Sequence, residues 1–303
     1  MYKNIQKPVL KWIGGKTQII SNVLELFPDK IKNYHELFIG GGSVLFGLLS
    51  LIEKGEINLE GNIYVYDKNP DLINFYKNIQ SNYNELHNYA KIYFNEYDGL
   101  IGTEVNRKPK NIEEAKTSKE SYYYWLRQKF NTMEKEFVEY SAIFLFLNKT
   151  CFRGMYRVGP NGYNVPYGHY KKTPKLISLN ELKRISEMLS NVIFRESDFM
   201  ESINEAKEGD FVYMDPPYVP ESKTSFVGYT KDGFNKELHE KLFEETKNLD
   251  KKGVKFLMSN SNQKLVRDSL KDFICEEITA RRAINSKNPS SKTKEVLIYN
   301  FSD

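Results

Sequence analysis

Cysteine, histidine and tryptophan are scarce in this chain of 303 residues, and it contains no apolar run of membrane-spanning length. The two cysteines, Cys151 and Cys275, cannot build a framework of bridges. With only His35, His87, His169 and His239 beside them, scattered along the chain, they offer no zinc-ligand spacing, so a protein without a metal is expected. No apolar stretch approaches the roughly 20 residues needed to cross a bilayer, which argues against a membrane protein. The opening segment MYKNIQKPVLKW lacks the apolar core of a secretory signal, and a cytoplasmic location is therefore expected. With 40% hydrophobic and 28% charged residues, the chain belongs to the ordinary globular class. Its length suits one large domain, or a core carrying an inserted second one.

Acidic residues are missing from two windows. Although the chain holds 40 of them, residues 141–180 contain none while carrying Lys149, Arg153, Arg157, Lys171, Lys172 and Lys175. Residues 278–294 likewise lack acids and carry Arg281, Arg282, Lys287, Lys292 and Lys294. These eleven cations outnumber the net charge of +4, so the remainder of the molecule is net negative. Two basic stretches on an acidic body match the footprint of a polyanion, although solvated surface segments would look the same.

The hydrophobic periodicity predicts a helix over residues 16–27, a buried strand over 34–39 and a tight turn at Gly40-Gly41-Gly42. Ser43 then reads as the cap of an apolar helix reaching about Ile52. A second strand over 62–66 ends at Asp67, and Asn69-Pro70 starts a helix expected to run to about Gln80. From about 76 to 176 the rhythm breaks, with helices expected at 120–132 and 134–148 and a hairpin at 155–165 around a Pro-Asn-Gly turn. Strands resume at 192–195, 211–214, 254–258, 273–279 and 295–301, with helices at about 178–189, 235–249 and 262–270. The fold class expected is α/β: a mainly parallel sheet with helices on both faces and antiparallel strands at its C-terminal edge.

Ligands of an open α/β sheet sit beyond the carboxyl ends of its strands, and three candidates fall there. Gly40-Gly41-Gly42 would let a ligand approach the backbone, or is simply a tight turn. Asp67 could accept both hydroxyls of a ribose, or cap the next helix. Together the two describe a nucleoside crevice. The third candidate, Asp215-Pro216-Pro217-Tyr218, is the most specific, because consecutive prolines turn the chain stiffly out of its strand. Asp215 and a carbonyl of the Pro-Pro pair could accept both N–H protons of an aromatic amine, freeing its lone pair, while Tyr218 offers a flat face.

These motifs resemble the Dam-type, D12-class DNA adenine N6-methyltransferases of the α group, nearly end to end. Lys11-Trp12-Ile13-Gly14-Gly15-Lys16 is similar to the family's N-terminal motif, which lies against the methyl donor. The resemblance implies that Trp12, Lys16, Phe38, Gly40, Gly41, Gly42, Asp67, Asp198, Phe199 and Asp215 bind S-adenosylmethionine, which leaves as S-adenosylhomocysteine. It implies that Asp215, Pro216, Pro217 and Tyr218 form the catalytic turn. The implied fold is a Rossmann-like methyltransferase sheet, residues 1–75 and 177–303, with a mainly helical target-recognition domain at 76–176. Gly15-Lys16-Thr17 also suggests a phosphate-binding loop, but Leu10 stands where that motif needs a glycine.

The expected partner is double-stranded DNA, with the adenine flipped out to reach the catalytic turn. Contacts to DNA are expected from Arg153, Met155, Arg157, Asn161, Lys171 and Lys172 in the insert, and from Arg281, Arg282 and Lys287. The resemblance implies that Arg157 reads a guanine edge, for which its fork suits O6 and N7; a surface arginine is the alternative. Enzymes of the family that read GATC commonly have Asn-Gly at Arg153-Gly154, and this version looks more like that of CATG enzymes. A polar loop over 219–234 is expected to close on the base through Phe226 or Tyr229. The chain is expected to act as a monomer or weak dimer, with a cognate restriction endonuclease as partner if it serves a restriction–modification pair. The rival functions are an RNA adenine methyltransferase and a DNA-binding protein without catalysis. Protein glutamine methyltransferases carry Asn where this chain has Asp215.

Overall fold

The structure, a computed structural model, describes residues 4–220, 234–281 and 292–302. Seven strands form the central sheet: β1 (Tyr34–Glu36), β2 (Ile63–Asp67), β3 (Val192–Glu196), β4 (Phe211–Met214), β5 (Lys255–Ser261), β6 (Ile274–Arg281) and β7 (Lys292–Tyr299). Their order is β6-β7-β5-β4-β1-β2-β3. Only β7 pairs antiparallel, to β5 and β6, which gives the antiparallel edge that the sequence suggested. The two central strands are buried throughout, as both-face coverage requires: every residue of β1 and β4 is buried. The chain runs outward from β1 to β3, then restarts on the other side of β1 with β4. The point of reversal lies between β1 and β4, and ligands of open α/β sheets bind beyond the strand ends at such a point.

One face packs against α1 (Ser43–Glu53) and α2 (Pro70–Gly99), the other against α6 (Lys236–Lys251). Ser43 is not the cap of α1. Gly42, left-handed at φ 75, takes that position, and the Ser43 hydroxyl accepts the Lys16 N–H at 3.0 Å. The helix expected at 16–27 is divided into a 3₁₀ turn (Lys16–Gln18) and a short helix (Ile20–Glu25), separated by Ile19 at φ −114. Leu37 and Ile39 continue the bonding of β1, to the carbonyls of Tyr213 and Tyr66.

Asn69 caps α2 by accepting the Asp71 N–H at 3.0 Å, with Pro70 in the first turn. The helix does not end near Gln80. It bends at Asn82 (φ −132) and continues to Gly99, because Leu86, Ala90, Tyr93 and Tyr97 return at helical spacing and bury against the insert. The expected boundary at residue 76 therefore falls inside a continuous helix. The insert adds α3 (Lys119–Thr132), α4 (Val138–Thr150) and a hairpin whose strands, Val158–Gly159 and Gly162–Tyr163, are shorter than expected. The Asn131 side chain binds both the N–H and the carbonyl of Tyr163, as a neighbouring strand would. Ser178 caps α5 (Leu179–Met188), which leads back to β3.

Candidate active site

Asp215 leaves β4 directly into the Pro-Pro turn, and two residues of β5 clip that turn down. Asn260 Oδ1 accepts the Val219 N–H at 3.3 Å, and Ser261 Oγ donates to the Val219 carbonyl at 2.7 Å. Asp215 Oδ2 pairs with Lys16 Nζ at 2.7 Å, whereas Oδ1 is buried without a partner among the described residues. Burial holds this carboxyl up at about 6; Lys16 pulls it down and Glu295 adds to the rise. Lys16 Nζ also donates to the Gly14 carbonyl at 2.7 Å and lies 4.8 Å from the centre of the Tyr218 ring. The Tyr218 hydroxyl donates to Glu295 of β7 at 2.8 Å. Burial, with the Asp215 and Glu295 charges behind it, keeps that phenol well above its ordinary value and so protonated.

Asp67 ends β2 and accepts two backbone N–H groups: Gly40 on Oδ2 at 3.1 Å and Asn69 on Oδ1 at 2.9 Å. Burial raises its carboxyl to about 6 against those two bonds. The glycines also make room for other side chains of the protein. A Cβ on Gly40 (φ +47) or Gly41 would stand 2.9 or 2.8 Å from Trp12, and one on Gly42 2.8 Å from Tyr76 Oη. Trp12 therefore lies on the loop itself.

Phe38 and Phe199 meet at 5.7 Å between ring centres, and Phe234 joins both, at 6.2 and 5.5 Å. Asp198 caps the short helix Phe199–Ser202 and pairs with Lys68 at 2.9 Å. One acid was missed by sequence reasoning. Glu36, 1% exposed at the end of β1, accepts the Tyr34 hydroxyl at 2.8 Å. Burial raises it to about 8 despite that bond, with the Asp215 and Asp67 charges adding to the rise. An acid inside a strand expected to be buried was the available signal. Three carboxyl groups thus share the carboxyl ends of β1, β2 and β4.

The hairpin side differs in part from expectation. Arg153, Arg157, Asn161, Lys171 and Lys172 are exposed, and Met155 is half-buried. Arg153 adopts φ 56 with its guanidinium 5.1 Å from the Phe152 ring. Arg157 is held by Asn164, Nε to Oδ1 at 2.6 Å. Lys149 leaves the basic footprint: its ammonium donates to the Val9 carbonyl, and burial lowers it to about 8. Only the backbone of Arg281 is described, in β6, while Phe226, Tyr229, Arg282 and Lys287 lie outside the described residues. Tyr156 was also missed. Buried between Met155 and Arg157, it donates to Asp71 at 2.6 Å and meets Trp12 at 5.6 Å.

The segment from Lys11 to Lys16 touches all three parts. Lys11 exchanges two bonds with the Asn148 side chain, at 2.9 and 2.7 Å, and its ammonium lies 4.5 Å from the Tyr170 ring. A Cβ on Gly154 would stand 2.5 Å from Lys11 Cβ. Trp12 then covers the glycine loop, and Lys16 reaches Asp215 at the Pro-Pro turn.

A family model described as D12 class N6 adenine-specific DNA methyltransferase matches residues 12–284. The Type II methyltransferase M.MjaIII of Methanocaldococcus jannaschii is 37% identical over 97% of this chain and 99% of its own. The Type II methyltransferase M1.LlaDCHI of Lactococcus lactis subsp. cremoris is 35% identical over 97% of this chain and 95% of its own. A DNA adenine methylase of Haemophilus influenzae is 30% identical over 95% and 91%.

Proposed function

Because the chain belongs to the D12 class of N6 adenine-specific DNA methyltransferases, we propose that it flips an adenine out of a short duplex site and holds its amino group on Asp215. The observation that carries this reading is the bare Oδ1 of Asp215, a buried acceptor at the mouth of a rigid turn beside an aromatic ring. The lone pair of an adenine amine is delocalised into its ring and attacks poorly. Asp215 Oδ1 takes one N–H and a carbonyl of the Pro216-Pro217 pair the other, which draws the nitrogen toward sp³ and frees the pair. Tyr218 supports the base.

The donor set suits S-adenosylmethionine, which when bound supplies a methyl group on a sulfonium. Asp67 keeps lone pairs for a ribose beyond the two N–H groups it accepts, and Phe38 and Phe199 offer apolar faces to an adenine ring. Residues 1–75 and 177–303 form the donor-binding and catalytic part in this reading. Residues 76–176 read DNA, with Arg157 toward a guanine in a site of the CATG or GATC kind. Phosphate contacts by the exposed cations Arg153, Lys171 and Lys172 offset the few kcal/mol of unstacking. A restriction endonuclease of the same specificity, and a place beside DNA in the cytoplasm, complete the proposal.

The test is transfer of labelled methyl from S-adenosylmethionine to duplex DNA, single strands and RNA, followed by sequencing of modified adenines. Methyladenine at one short duplex sequence supports the reading. Preference for RNA, or donor binding without transfer to any of them, overturns it.

A further inference from the structure

Lys16 was expected beside the donor, but its ammonium goes to the catalytic turn. It is 5% exposed, and among the described residues it contacts Asp215 Oδ2, the Gly14 carbonyl and the face of Tyr218. Its backbone is fixed as well, by the bond from its N–H to Ser43. A buried ammonium is costly unless paired, so this placement needs a compensating partner, and the partner is the catalytic acid. The pairing is one-sided: Oδ2 is bound at 2.7 Å and Oδ1 has no partner among the described residues.

The groups facing Asp215 sharpen the point. Glu295 raises its carboxyl, Tyr213 and Tyr218 are held protonated by burial, and Glu36 lies close enough to feel its charge. Among the described residues Lys16 is the cation that opposes them. We propose that Lys16 is a positioning residue of methyl transfer: it fixes the Asp215 carboxylate through Oδ2, keeps it an anion, and leaves Oδ1 as its one acceptor for the target amine. The same ammonium packs on Tyr218, so carboxylate and ring are held as one unit. The inference rests on the reading of Asp215 as the amine acceptor.

Removing the cation should let Asp215 take up a proton at higher pH, and a protonated acid accepts the amine poorly. The experiment measures single-turnover methylation at saturating DNA and donor from about pH 5.5 to 9, for wild type, Lys16→Met and Lys16→Gln. Thermal melting and calorimetric donor affinity are followed in parallel. The wild-type rate should fall below about pH 6. Both variants should show this limb moved up by about one to two pH units, losing about two- to tenfold at pH 7 and recovering toward pH 9. Gln retains a donor for Oδ2 without charge, so it carries the test if the Met variant does not fold. An unmoved limb, whether the rate is unchanged or uniformly lowered, overturns the proposal, as does a loss confined to donor affinity. Absence of methylation by the wild type would instead overturn the enzymatic reading itself.

Discussion

Asp215 presents one oxygen bound and one bare, and alanine removes both. On the proposed reading this second oxygen acts on a nitrogen that changes shape in the transition state, so Asp215→Ala should cut turnover about 10²- to 10³-fold while donor affinity is largely kept. Single-turnover kinetics with calorimetry checks this; equal losses in both would make Asp215 a donor ligand. His239 of α6 tests burial instead. It is 1% exposed between Phe234 and Phe243, and neither ring nitrogen has a partner among the described residues. Burial lowers it to about 4, so between there and its ordinary value of 6.5 the unfolded chain binds a proton that the fold refuses. Stability is therefore lost as pH falls through that window. His239→Leu should melt above wild type by about 1–2 kcal/mol at pH 7, with the gap widening at pH 5. A gap independent of pH would contradict it. Asp67 and Asp215 were legible in the sequence because each follows an apolar strand. The partners of Trp12 were not, since a side chain filling the space above Gly40 and Gly41 is a tertiary fact that no local pattern encodes.

At the scale of elements, strand–turn–helix units were readable wherever period and punctuation agreed, as at Gly40 to Ser43 and at Asn69-Pro70. The continuation of α2 past Asn82 was hidden because that stretch is rich in Asn and Tyr and its buried face answers to α4, not to the sheet. The two-residue strands Lys30–Ile31 and Asn58–Leu59 are too short to carry any periodicity. Gly42 tests the glycine turn. Its left-handed backbone alone costs alanine about 1–2 kcal/mol, and the Cβ would stand 2.8 Å from Tyr76 Oη. Gly42→Ala should lower stability by more than the backbone cost, and the excess should vanish when the same change is made in a Tyr76→Phe background and compared with Tyr76→Phe alone, which itself loses the bond from Tyr76 Oη to the Gly40 carbonyl. Denaturant titration of the three variants measures both shares; an undiminished excess in the Tyr76→Phe background would refute the clash.

Across the whole molecule, one hydrophobic cluster runs from the sheet through α2 into α3, α4 and the hairpin, joining Val65, Phe75, Phe144, Tyr122 and Tyr163. An insertion that reads as separate from its change of rhythm is therefore welded to the frame by a shared helix and a shared core. The two tryptophans lie on either side of that seam, Trp12 on the glycine loop and Trp125 in α3. Tryptophan fluorescence and far-ultraviolet dichroism should give one coincident thermal transition, whereas two separated steps would show independent folding units.

The six residues from Lys11 to Lys16 act as a tie bar, pinned to Asn148 and Tyr170 at one end and to Asp215 at the other. Anyone grafting a foreign recognition segment onto this scaffold would be replacing the socket for Lys11 while keeping the plug. A successful chimera must carry the opening residues of the insert's donor along with it, or supply an asparagine and an aromatic ring at those two positions.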